Sequence, residues 1–180
     1  LESIAQSGIK LISNAGGINP EACGAVIRQL VDTSGLSLKV AVVTGDDLMP
    51  RLDALLDVQP REMFSGDRPP PRESIASANV YLGAFPIAQA LDQGADIVIT
   101  GRCVDSAVTL GACIHRYGWE PGDLDLLAAG SLAGHLIECG PQATGGNYTD
   151  WHEVADTLHE VGYPIAEIAA DGAVVMTKPQ

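Results

Sequence analysis

The segment 134–147 carries the chain's densest group of side chains that could do chemistry. His135 and Glu138 are three residues apart, so on a helix they would project from the same face. An imidazole and a carboxylate placed together can take a proton from a substrate and return it. Cys139 follows directly, and it could act as a nucleophile if its thiolate is favoured. The sequence therefore proposes His135, Glu138 and Cys139 as candidate catalytic residues.

Each of these signals also has a plainer interpretation. A His-x-x-Glu pair is common by chance, and a lone cysteine at a helix end is more often a packing residue. The pair could supply two metal ligands, but no third ligand can be placed, so the sequence predicts no metal site. Beyond the pair, Thr144, Gly145 and Gly146 form a turn that would suit a carbonyl or phosphate oxygen, with ordinary turn chemistry as the alternative.

Arg102 is a second candidate, because it follows an apolar run in a chain short of basic residues. Its two-pronged guanidinium could hold a carboxylate or a phosphate of a ligand. Asp105 is either its ion-pair partner or the cap of the following helix. Tyr148, Trp151 and Trp119 could line an apolar pocket, although ordinary core packing would explain these rings equally well.

The elements that must position these groups alternate between strands and helices, the pattern of a parallel sheet with helices packed on it. We predict an α/β fold of three layers, with helices on both faces of a mostly parallel sheet and a C-terminal β-hairpin. The predicted strands are 8–13, 38–43, 77–82 and 96–100, the hairpin is 164–170 with 173–179, and the predicted helices are 20–33, 51–58, 83–94, 124–138, 151–161 and one ending near 117. Asn19 and Pro20 form a helix start, and Asp171-Gly172 forms the hairpin turn. Gly130 and Gly134 fit either close packing or a helix break.

Ligands of open parallel sheets bind outside the carboxyl ends of the strands, and glycine-containing loops follow three of the predicted strands. The candidate ligand-binding residues in these loops are Asn14, Gly16, Gly17, Gly45, Asp46 and Gly101. Each loop precedes a helix whose free amides could hold an anion, although turns and caps use the same residue types. Neither G-x-G-x-x-G nor G-x-x-x-x-G-K-[ST] is present, so a standard dinucleotide or P-loop site has no motif support, and the cofactor is left open.

Length and composition limit the classes of function. The 180 residues suit one α/β domain, with an exposed Pro-rich excursion at 59–72. A net charge of −13 disfavours nucleic acid, and no stretch approaches the roughly 20 apolar residues of a membrane span. The four cysteines are scattered, which predicts free thiols and a cytoplasmic location. We also expect a homo-oligomer, and a chain that is a portion of a longer polypeptide.

Several motifs together resemble one known family. They are Gly101-Arg102-Cys103-Val104-Asp105-Ser106-Ala107, Ala133-Gly134-His135-Leu136-Ile137-Glu138-Cys139-Gly140, and Gln142-Ala143-Thr144-Gly145-Gly146-Asn147-Tyr148-Thr149-Asp150-Trp151. The early Asn14-Ala15-Gly16-Gly17 and the closing Thr177-Lys178-Pro179 fit as well. In this combination the chain resembles the amino-terminal portion of the acyclic terpene utilisation (AtuA) family.

The resemblance implies a pathway, the breakdown of acyclic terpenes such as citronellol and geraniol alongside acyl-CoA carboxylases, without a settled reaction or catalytic residues. Our leading hypothesis is an enzyme, or an enzyme subunit, that acts on a branched acyl-CoA or its acid by hydration, C–C cleavage or thioester hydrolysis. The competing hypothesis is a non-catalytic subunit that partners an acyl-CoA carboxylase through the Pro-rich excursion.

Overall fold

The computed structural model describes residues 1–179, which form two compact units. The first unit consists of Leu1–Leu82 and Gly94–Cys103, and the second consists of Gly83–Gln93 and the residues from Val104 onward. The prediction of a single domain stays a prediction. None of the helices in the described part of the chain is long and apolar enough to cross a membrane.

The first unit is built on a parallel sheet of three strands. These are β1 (Leu11–Ser13), β2 (Val40–Val43) and β3 (Ile97–Thr100), in the spatial order β1-β3-β2. Every residue of β3 is at most 1% exposed, and a neighbouring strand lies on each side of it. A continuous run of β-branched residues suits such a central parallel strand. The predicted mixed α/β fold with a parallel sheet is confirmed.

Helices of the first unit are α1 (Glu2–Ser7), α2 (Pro20–Thr33) and α3 (Leu52–Asp57). The α2 helix begins as predicted, since the Asn19 side chain accepts a 3.0 Å hydrogen bond from the Ala22 N–H and Pro20 is the first helical residue. It packs against β2 and β3, and a Cβ at Gly24 would lie only 2.3 Å from Val42 Cγ2. Glycine therefore permits the close approach of helix and sheet.

The second unit contains α4 (Phe85–Asp92), α5 (Ala107–Tyr117), α6 (Leu124–Glu138) and the antiparallel strands β4 (Ile165–Ile168) and β5 (Val174–Thr177). The α5 helix packs against α4 and α6, and the predicted C-terminal hairpin is confirmed. The α6 helix is uninterrupted, so its two glycines serve close packing. A Cβ at Gly130 would lie 2.8 Å from the Trp119 ring, and one at Gly134 would lie 2.7 Å from the Ser106 carbonyl oxygen.

Two predicted elements are wrong. Residues 77–82 form no strand, because the backbone there bonds to the loop after β2: Ala78 accepts from the Leu48 N–H and Val80 donates to the Asp46 carbonyl. Residues 151–161 form two 3-10 helices, Trp151–Glu153 and Ala155–Glu160, in place of one α-helix. Aromatic, β-branched and aspartate residues are weak helix formers, so the local propensity for an α-helix in this segment is low.

Candidate functional site

Loops from all three parallel strands come together at the carboxyl edge of the first unit's sheet. They are 14–17 after β1, 44–47 after β2 and 101–102 after β3. The backbone of Gly16 lies directly against the end of β3, since a Cβ there would be 2.4 Å from the Thr100 carbonyl oxygen. The edge at which open parallel sheets bind ligands is therefore formed by the loops that the sequence singled out.

Asp46 joins two of these loops. It is only 4% exposed, and its Oδ2 accepts a 2.8 Å hydrogen bond from the Arg102 backbone N–H and a 3.3 Å hydrogen bond from the Asn79 amide. A Cβ at Gly101 would lie 2.1 Å from Asp46 Oδ1, so only glycine leaves room for the carboxylate. Asp46 thus fixes the Gly101-Arg102 turn, and its predicted contact with a ligand stays a prediction.

Neutral donors satisfy the Asp46 carboxylate, which leaves the Arg102 side chain uncommitted. The guanidinium is exposed and makes no hydrogen bond or ion pair with the described residues of its own unit. Asn14 is also exposed, and its carbonyl accepts from the Gly17 N–H at 3.1 Å. Gly45 has a φ of 114°, a conformation that favours glycine. Among the described residues of the first unit, the Arg102 guanidinium is therefore free, while the backbone of its turn is held in place.

In the second unit, His135, Glu138 and Cys139 are all exposed at the end of α6. The Cys139 thiol donates a 2.8 Å hydrogen bond to Glu138 Oε1. This bond raises the pKa of Cys139, and partial burial and the charges of Glu138 and Asp105 raise it further. A raised pKa disfavours the thiolate and therefore argues against Cys139 as a nucleophile, while the catalytic roles predicted for His135 and Glu138 stay predictions.

Asp105 belongs to this second group. The close contact of Gly134 with Ser106 brings α6 against the start of α5, and the charge of Asp105 acts on the Cys139 thiol there. The interpretation of Asp105 as a helix cap is wrong, because Ser106 occupies the cap position of α5 and no side chain caps it. Arg102 belongs to the first unit and Asp105 to the second, and their predicted ion pair stays a prediction.

Polar groups of the turn formed by Thr144, Gly145 and Gly146 make hydrogen bonds to the protein's own backbone. The Thr144 hydroxyl donates to the Gly162 carbonyl at 2.8 Å, and the Gly146 N–H donates to the Pro141 carbonyl at 2.7 Å. The geometry thus favours ordinary turn chemistry over an oxyanion site. The turn forms one side of an open cavity of about 360 Å³. The cavity is lined by Thr144, Gly145, Tyr148, Val154, Thr157, Leu158 and Val161.

Sequence reasoning missed a groove of about 470 Å³ between α4 and α5. It contains a pair in which His115 Nδ1 lies 2.6 Å from Asp92 Oδ1. The two residues are 23 positions apart, so no local spacing could reveal the pair. Sequence reasoning also missed Asn79, which it assigned to a strand. Across residues 1–179 no three His, Cys, Asp or Glu side chains gather in a way that could hold a metal ion.

Comparison with protein families gives one result that covers the chain. The model of the acyclic terpene utilisation family protein AtuA matches residues 1–180. Neither the curated proteins nor the solved structures contain a significant match. The resemblance found in the sequence motifs is thereby confirmed. The chain belongs to the acyclic terpene utilisation family AtuA, and its role lies in acyclic terpene utilisation.

Proposed function

We propose that the chain binds a branched acyl-CoA or the corresponding acid, and that Arg102 holds the anionic group at the carboxyl edge of the sheet. The observation that carries this proposal is the set of hydrogen bonds that Asp46 makes. Its carboxylate accepts from the Arg102 backbone, while the Arg102 side chain has no partner among the described residues of its unit. A fixed backbone with a free guanidinium is suited to bidentate binding of a carboxylate or phosphate.

The overall charge of −13 is compatible with this ligand. Exposed charges act over about 8 Å at physiological ionic strength, so distant carboxylates are screened while Arg102 and the loop amides act at contact distance. Glycine at positions 17 and 45 leaves space beside the loop backbone for an approaching ligand, since a Cβ would meet no atom closer than 3.9 Å at Gly17 and none within 4 Å at Gly45. The binding free energy would therefore come from Arg102 and the loop amides, while the net negative charge of the chain would repel the ligand only weakly.

His135 and Glu138 are our proposed proton-transfer residues. Both are exposed at the end of α6, so neither side chain is shielded from solvent. Hydration, C–C cleavage and thioester hydrolysis of an acyl-CoA all require a group that takes or gives a proton. The protein would act in the cytoplasm, where the four free cysteines would stay reduced.

The test is calorimetric titration of geranyl-CoA, free CoA and geranic acid into the chain and its variants. Arg102→Ala should weaken acyl-CoA binding roughly ten- to a hundredfold, the usual range for a charge-assisted hydrogen bond. Arg102→Lys should recover part of the loss. The matched control is Arg28→Ala, which removes one exposed arginine from α2 and should leave the affinity unchanged. Equal losses in both alanine variants, or no binding of the three ligands, would refute the proposal.

The proton-transfer roles need a separate readout. His135→Ala and Glu138→Gln should leave the affinity for geranyl-CoA unchanged and abolish its conversion, followed by mass spectrometry of the acyl-CoA pool. Conversion that persists in both variants would remove these residues from the chemistry. It would leave the binding proposal standing, because Arg102 is tested by titration alone.

A second function, assembly with an acyl-CoA carboxylase, is favoured by one observation. Met63 and Phe64 in the Pro-rich excursion are 83% and 89% exposed, which is unusual for large apolar side chains without a partner. Co-purification with recombinant carboxylase subunits, followed by light scattering, would detect the complex. Phe64→Ser should abolish it, and Ile18→Ser, which changes a 99% exposed side chain elsewhere, should not.

A further inference from the structure

The groove between α4 and α5 contains a histidine–aspartate pair that the proposed function does not use. All of its lining residues belong to the second unit, and its volume of about 470 Å³ lies within the range of roughly 300–1,000 Å³ that is typical of small-molecule sites. The pair joins Asp92, the last residue of α4, to His115 near the end of α5. The two helices approach closely, since a Cβ at Gly111 would lie only 2.7 Å from the Ile87 side chain. Helix packing therefore holds a titratable pair at the wall of a groove that is large enough for a ligand.

The geometry of the pair decides which ring nitrogen of His115 is available. His115 Nδ1 lies 2.6 Å from Asp92 Oδ1. An ionised carboxylate can only accept a hydrogen bond, so Nδ1 carries the proton of this bond. In the neutral imidazole Nε2 is then an acceptor, and it has no hydrogen-bond partner among the described residues of the second unit. The wall of the groove therefore carries one free acceptor, on a ring that Asp92 holds in orientation.

The other lining residues define which kind of molecule suits this acceptor. Apolar surface comes from residues that include Phe85, Ile114, Trp119 and Pro121. The charged side chains of the lining are Asp92, Glu120 and the titratable His115, while Arg116 is not part of it. These carboxylates would repel an anion, and an anionic carboxylate has no proton to donate to Nε2.

A cation would gain little from the same groove, because His115 already engages Asp92 and Glu120 is exposed to solvent. The ligand that suits the groove is therefore uncharged, has an apolar body and carries one hydrogen-bond donor. Burial of the apolar body would supply most of the binding free energy, and the hydrogen bond would fix the orientation.

We propose that the groove between α4 and α5 binds an acyclic terpene alcohol, whose hydroxyl donates to His115 Nε2 and whose hydrocarbon chain lies against Phe85, Ile114 and Trp119. An alcohol meets each requirement of the groove, because it is uncharged and supplies one O–H donor on an apolar body. An acyclic terpene is the apolar body that the family's role in acyclic terpene utilisation makes available. The inference goes beyond the proposed function, since it assigns a neutral ligand to residues of the second unit, whereas Arg102 belongs to the first.

The experiment is NMR titration of geraniol and geranyl methyl ether into the full chain, followed by the indole N–H resonance of Trp119. Geraniol should shift this resonance in a saturable manner. The methyl ether has the same hydrocarbon chain without the O–H donor, so it should bind about tenfold more weakly. His115→Phe keeps a ring in the groove without its nitrogens. In this variant geraniol should lose about tenfold in affinity, and the alcohol and the ether should bind equally.

Two further variants separate binding in the groove from a general change in the fold. Gln89→Trp would fill the groove from an exposed lining position on α4 and should abolish geraniol binding. The matched control is His159→Phe, because His159 Nε2 lies 3.6 Å from Glu160 Oε1 in an exposed pair outside the groove lining. This control should bind geraniol like the wild type. Circular dichroism of each variant shows whether it is folded.

This proposal and the proposal for Arg102 fail independently. Arg102→Ala should leave the affinity for geraniol unchanged, and His115→Phe should leave the affinity for geranyl-CoA unchanged. The absence of a saturable shift of the Trp119 resonance would overturn the alcohol site. Equal affinities of geraniol and its methyl ether in the wild type would do the same, as would tighter binding of geranylamine or geranic acid than of geraniol at this resonance.

Discussion

Two aspartates at opposite edges of the same sheet are satisfied in different ways. At the carboxyl edge, Asp46 is buried and accepts hydrogen bonds from neutral donors, the Arg102 N–H and the Asn79 amide. At the amino edge, Asp96 precedes β3, and its Oδ1 accepts from the Lys10 ammonium at 2.8 Å while its Oδ2 accepts from the Lys39 N–H at 2.9 Å.

The difference lies in what each carboxylate leaves free. Asp96 forms an ion pair with Lys10, so the charge of Lys10 is neutralised and the interaction at the amino edge is structural. Asp46 accepts hydrogen bonds from amide N–H groups instead. The Arg102 guanidinium therefore stays available at the edge where ligands of parallel sheets bind. A buried acid satisfied by the backbone can therefore order a binding loop without neutralising the loop's own cation.

The largest effect should come from filling the space beside Asp46. In Gly101→Ala the new methyl would lie 2.1 Å from Asp46 Oδ1, so the carboxylate must move and lose its hydrogen bonds. We expect the free energy of unfolding to fall by about 3 kcal/mol. Urea unfolding followed by circular dichroism measures the change. The control is Gly122→Ala, where a Cβ meets no atom within 4 Å. A similar small change in both variants would contradict the close packing described here.

Removing the carboxylate should have a smaller effect. Asp46→Ala removes the charged acceptor of the partly buried Arg102 N–H, which costs about 2 kcal/mol of unfolding free energy. Asp46→Asn should cost less, because the amide oxygen can still accept from that N–H. Hydrogen exchange at the Arg102 amide should accelerate most in Asp46→Ala. An Arg102 amide that stays protected in the alanine variant would show that Asp46 does not hold the turn.

At the amino edge the effect should be smaller and should depend on pH. The Lys10 ammonium and the Lys39 N–H lower the pKa of Asp96. Asp96 therefore stabilises the fold fully above its unfolded pKa of about 3.9, and this contribution disappears as the pH falls through the lower folded value. Asp96→Asn should lose about 1 kcal/mol of stability at pH 7. The difference between wild type and variant should shrink in urea titrations below about pH 4.

Local sequence signals predicted the structural features that depend on residues close together in the chain. Asn19 and Pro20 place the start of α2, the run 96–100 identifies the buried strand, and Asp171-Gly172 places the hairpin turn. Parallel strands then require their loops to share one edge, so the positions of Asn14 and Arg102 follow from topology. Capping, turn chemistry and strand composition are all short-range effects.

The sequence could not predict interactions between distant residues. Asn79 lies 33 positions from Asp46, and its segment has a strand-like composition whose hydrogen bonds go to the loop after β2. His115 and Asp92 meet only because α4 and α5 pack together. The helix predicted at 151–161 failed for a related reason. The local propensity for an α-helix is weak in this segment, and 3-10 helices form instead.

The smallest effect on stability should come from a third carboxylate, Glu138, whose hydrogen-bond donor is the exposed Cys139 thiol. Because Glu138 raises the Cys139 pKa, Glu138→Gln should lower that pKa and increase the thiolate fraction at pH 7.5. Alkylation of Cys139 by iodoacetamide, measured by mass spectrometry, should become severalfold faster, while Cys23 alkylates at an unchanged rate. Asp105→Asn should produce a smaller increase, since its charge is the weakest of the causes. An unchanged Cys139 rate in Glu138→Gln would mean that this carboxylate does not control the thiol, and that Cys139 must be reconsidered as a nucleophile.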